Sequence, residues 1–67
     1  MALESIQGEL ASELFNAVDI VDGPSDAPLL IPGPGGEGFR INAEALIALR
    51  THLATASKLI DQLQQML

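Results

Sequence analysis

The chain contains a single histidine, His52, which is the first candidate for acid–base chemistry. An imidazole acts as a catalytic base only when a carboxylate orients it and a reacting proton lies within reach. On its own segment Glu44 and Asp61 are the nearest carboxylates, and neither sits one helical turn away. His52 therefore reads as a partly buried side chain at the edge of a packing seam, with pH sensing as the alternative role.

Asp19, Asp22 and Asp26, with Gly23 between them, have the residue type of a hard-cation loop but not its spacing. A calcium loop alternates its first carboxylates and closes with a bidentate glutamate, and neither feature is present. These carboxylates read as solvated groups at a helix end and a turn. Gly33, Gly35, Gly36 and Gly38 are equally unlike a phosphate loop, since no Gly-Lys-Ser/Thr follows and Glu37 would face the phosphate. We expect no cofactor, no metal and no catalytic residue, and hence no enzyme.

The composition agrees with a packed but very small protein. Of 67 residues, 48% are hydrophobic and 18% charged, which separates the chain from disordered sequences. So short a chain buries little surface, and without cysteine it has no disulfide to reinforce it. Well-packed helices or association with another chain must supply the stability.

The net charge of −6 divides into −7 over residues 1–39, which hold no Lys or Arg, and +1 over residues 40–67. Arg40, Arg50 and Lys58 are too few and too scattered to neutralise a phosphate backbone, so nucleic acid is excluded as a partner. No apolar run reaches the roughly 18 residues of a membrane span, and residues 1–8 lack a cationic leader. The expectation is a soluble protein, cytoplasmic or part of a macromolecular assembly and not evidently secreted.

Three elements must position whatever function the chain has. Leu3, Ile6, Leu10, Leu14, Ala17 and Val18 recur at helical spacing and predict a helix over 3–18. Gly8 weakens its first turns, so the start could lie nearer Glu9. Glu4, Glu9 and Glu13 fall mostly off the apolar stripe, and replacing Glu9 or Glu13 by Ala is expected to do little.

Residues 19–41 carry all four prolines and five of the six glycines, which forbids a continuous helix. Within this connector, residues 29–31 and 39–41 flank a Pro/Gly loop and suit a short β-hairpin. Alternatively the apolar triplet at 29–31 is an arm for the sheet edge of a neighbouring chain.

The strongest periodicity follows. Asn42 is a good N-cap, with Ile41 and Leu46 spaced for a hydrophobic staple. Leu46, Leu49, Leu53, Ala56, Ile60, Leu63 and Leu67 then alternate spacings of three and four, a heptad seam over 42–67. Leu46, Leu53, Ile60 and Leu67 take position a, and Leu49, Ala56 and Leu63 take position d. Ala45, His52, Leu59 and Met66 at position g widen the stripe toward a bundle.

The fold expected is thus mainly α, a helical hairpin or oligomeric bundle with a Pro/Gly-rich connector. Leu46, Leu49, Leu53, Ala56, Leu59, Ile60, Leu63, Met66 and Leu67 are the candidate interface. With the first helix about two turns shorter than the second, the end of the second near residues 60–67 should lie uncovered in a monomer. The functional expectation is a non-enzymatic structural subunit that self-associates through its C-terminal helix, a homo-oligomer or a small component of an assembly such as a virion. The alternative is an acidic regulatory module, inhibitor or antitoxin-like, whose helix docks in a groove of a protein partner.

Overall fold

The computed structural model describes residues 2–67 and gives the order helix, hairpin, helix. The first helix, α1, spans Leu3–Asp22 and the last, α2, spans Ala43–Gln65. Between them, β1 (Leu30–Pro32) and β2 (Phe39–Ile41) form a two-stranded antiparallel sheet. The helix–hairpin–helix arrangement expected from the sequence is the one observed.

α1 is a full turn longer than the apolar pattern over 3–18 implied. Ile20 continues the inward stripe of Ile6 and Ala17, and the three are buried, so packing carries the helix on to Asp22. Gly23 and Pro24 end it, the Gly23 amide donating to the Asp19 carbonyl at 2.9 Å. At the other end the helix starts at Leu3 despite Gly8. Ile6 is fully buried, and its contribution of about 2–3 kcal/mol exceeds the ~1 kcal/mol that a helical glycine costs.

Asn42 joins all three elements. Its Oδ1 accepts from the Glu44 amide at 3.2 Å and caps α2, while its Nδ2 donates to the Pro28 carbonyl at 3.2 Å. Its own amide donates to the Leu29 carbonyl at 2.8 Å, and the Leu29 amide donates to the Ile20 carbonyl at 2.9 Å. The end of α1, the start of β1 and the start of α2 are therefore tied at one level, and α2 returns antiparallel to α1.

In the hairpin Leu30 pairs with Ile41, Ile31 with Arg40 and Pro32 with Phe39. The connecting loop contains a short 3-10 turn, and Gly35, Gly36 and Gly38 adopt positive φ of 70, 77 and 64°. That left-handed path is strained for any residue with a side chain, which is why the loop is built from glycine.

The protein is a rod of 52 × 16 × 13 Å with a radius of gyration of 15.1 Å. A compact chain of this length would measure about 11 Å. α2 accounts for roughly 35 Å of the long axis at 1.5 Å per residue, so the hairpin projects beyond the helix pair. The core is one layer thick: Ile6, Ala17 and Ile20 from α1 and Ala45, Ala56 and Leu59 from α2. Three alanines let the two helix backbones approach closely. No helix among the described residues is long and apolar enough to cross a membrane.

Candidate interaction face

The heptad of α2 splits into two functions. Its d and g positions turn toward α1: Ala45, Ala56 and Leu59 are buried, and Leu49, His52 and Leu63 are half-buried. Its a positions turn sideways, leaving Leu46, Leu53 and Ile60 exposed at 46, 47 and 45%. Ala56 and Leu59 are therefore occupied within the hairpin and not free to meet a second chain. Leu46, Leu53 and Ile60 remain open, with Leu49 and Leu63 bordering them, and Met66 and Leu67 are exposed at the end of α2.

The reason for the exposure differs from the one expected. α1 has 20 residues and α2 has 23, so α1 is only three residues shorter and covers nearly the whole length of its partner. What lies open is a flank running along both helices. α1 contributes to it in the same way, since Leu3, Leu14, Val18 and Val21 are exposed on the side adjoining its buried stripe. Leu14, Ala17, Val18, Val21, Leu49 and Leu53 line one apolar trough between the helices, with Asp22 at its end. Leu46, Leu49, Arg50, Leu53 and Ala54 line a second, and the shared Leu49 and Leu53 make the two continuous.

Away from this flank the seam between the helices includes polar groups. His52 Nδ1 lies 2.6 Å from Glu13 Oε2, both side chains being about a quarter exposed. The carboxylate partner missing from the vicinity of His52 in sequence thus comes from α1, and Glu13 is not the unengaged surface residue expected. The pair sits midway along two heptad lines: Ile6, Glu13 and Ile20 on α1, and Ala45, His52 and Leu59 on α2. Counting in opposite directions from this contact places Ile6 level with Leu59 and Ile20 level with Ala45, and those four residues are buried. A polar pair inside an otherwise apolar seam fixes register, because a slip of one turn would set each polar group against apolar neighbours.

Beside His52 an open cleft is lined by Asn16, Asp19, Ile20, Pro24, Ser25, Asp26, Ala27 and Ala48. Ser25 is the only hydroxyl there, and its Oγ accepts from the Ala27 amide at 3.2 Å, shaping the turn after α1. The cleft thus has a histidine oriented by a carboxylate and a serine engaged in local structure, an arrangement that stabilises the junction. Asp19 and Asp26 both border this cleft, but among the described residues no group of three His, Cys, Asp or Glu side chains converges on a point.

The apolar triplet at residues 29–31 forms the start of the hairpin. By register Leu30, Ile41, Pro32 and Phe39 share one side of the ribbon, and all four are exposed, Phe39 at 73%. Ile31 lies on the other side, opposite Arg40, and is half-buried. The chain's own helices therefore receive only part of this segment. Against protein-family models, curated proteins and solved structures alike, the chain finds no match.

Proposed function

We propose that the chain is a non-enzymatic structural subunit that self-associates through the apolar flank of its helical hairpin and serves as a small component of a larger assembly, as in a virion. The observation that carries this reading is the one-layer core with its continuous apolar flank of Leu14, Val18, Val21, Leu46, Leu53 and Ile60.

The areas support it. The chain exposes 5062 Å², whereas a compact protein of 7.0 kDa exposes about 4,000 Å². The excess, about 1,000 Å², compares with the roughly 800 Å² that each partner contributes to a standard interface. With roughly 55–60% of such surface apolar, covering it at about 0.025 kcal/mol per Å² is worth on the order of 15 kcal/mol per protomer before the entropic cost of association. A lone helix pair lacks any comparable term.

A second reading has its own support. α1 carries Glu4, Glu9, Glu13, Asp19 and Asp22 and no cation, which suits an acidic inhibitor or antitoxin-like module meeting a basic protein. Light scattering behind a size-exclusion column, paired with circular dichroism melts over a range of concentration, separates the two. Self-association gives a discrete multimer whose melting temperature rises with concentration. A monomer with a concentration-independent melt refutes it and favours the acidic module.

A further inference from the structure

We propose that two copies dock flank to flank with their β-hairpins at the same end, so that α1 of each protomer lies against α2 of the other. This inference rests on the self-association proposed above and adds the arrangement.

A two-helix layer can meet its two-fold copy in two ways. With the axis parallel to the helices, α1 faces the partner's α2 and both hairpins point the same way. With the axis across the helices, α1 faces the partner's α1 and the hairpins point apart. Neighbouring helices are antiparallel in both, so helix dipoles do not decide between them.

Side-chain charge does decide. Facing α1 helices would set together two acidic helices, each with Asp22 at the end of its trough and no cation on either side. The crossed arrangement sets each acidic helix against α2, where Arg50 and Lys58 balance Glu44 and Asp61. Arg50 stands at the rim of the apolar trough. Because Glu13 is level with His52, Phe15 is level with Arg50, and crossed docking sets the partner's Arg50 at the height of this exposed ring.

The β-hairpin provides an independent argument. Its exposed side of Leu30, Pro32, Phe39 and Ile41 projects past the helices, where the flank of a second helix pair does not extend. Hairpins at the same end come within reach of each other and can share that apolar side, whereas hairpins at opposite ends leave both copies in water.

The chain has no cysteine, so Glu37→Cys in the hairpin loop of the full-length chain accepts a single nitroxide. Pulsed dipolar spectroscopy then reads the separation of the two loops, with the mass measured on the same sample. A multimer with labels closer than about 30 Å is expected, since packed helices lie only 8–10 Å apart. Opposed hairpins would be about 70 Å apart, from roughly 35 Å of helix and two projecting hairpins. A multimer with the long separation overturns the crossed arrangement and leaves self-association standing, whereas a monomer overturns both and assigns the flank to a different protein. As a second arm, Arg50→Glu with Lys58→Glu is expected to weaken the multimer about tenfold or more at low salt; unchanged affinity contradicts the charge argument.

Discussion

Leu53 occupies both apolar troughs yet is about half exposed within the hairpin, so substituting it separates association from folding. Completing the burial of half a leucine is worth about 1 kcal/mol per protomer, and a symmetric pair counts it twice. Loss of that contact alone weakens a dimer by about 2 kcal/mol, close to thirtyfold. Leu53→Asp adds the desolvation of two carboxylates, at upward of about 1 kcal/mol each, for a total near 4 kcal/mol and a roughly thousandfold rise in Kd. Sedimentation equilibrium measures the association, and far-ultraviolet circular dichroism of the same samples monitors helix content. The expected result is a smaller species that remains helical at high concentration. A Leu53→Asp protein with the parent mass and parent Kd would refute the assignment of this flank as the interface.

The hairpin's internal contacts give three further expectations. Ile6→Ala opens a cavity at a fully buried site and should cost about 2–4 kcal/mol, seen as a large fall in denaturation midpoint. Asn42→Ala removes both the α2 cap and the tie to Pro28, about 1–2 kcal/mol together; at about 4–8 °C per kcal/mol the melting temperature should fall by several degrees or more. Glu13→Gln and His52→Ala, combined in a double-mutant cycle, should show a coupling of about 0.5–1 kcal/mol, and zero coupling would contradict the register-setting role of the pair.

Much of this architecture was legible because local chemistry dictates it. Asn42 before an uninterrupted apolar stripe marks the start of α2, and the glycines and prolines of the connector mark where helix must stop. What the residues left open was which side of the stripe the chain itself covers. With a, d and g positions all largely apolar, the stripe is wider than one neighbouring helix can bury, and only the packing of α1 reveals that d and g turn inward.

The apolar pattern stops short of the true end of α1 because Asp19 and Asp22 surround Ile20 and mask one more inward position. The Glu13–His52 contact spans 39 residues and depends on antiparallel register. A signal for it did exist, since Glu13 lies seven residues from both Ile6 and Ile20, and His52 lies seven from both Ala45 and Leu59. Polar residues at the middle of two heptad lines become a pair once those lines face each other.

The most direct test of the account is an isotope-filtered nuclear Overhauser experiment on a mixture of labelled and unlabelled chains. Contacts between chains are expected at the methyl groups of Leu14, Val18, Leu46, Leu53 and Ile60, with none in the cleft around His52. Absence of intermolecular contacts at those methyl groups, or their restriction to the cleft around His52, would contradict the claim that this flank is where the protein assembles.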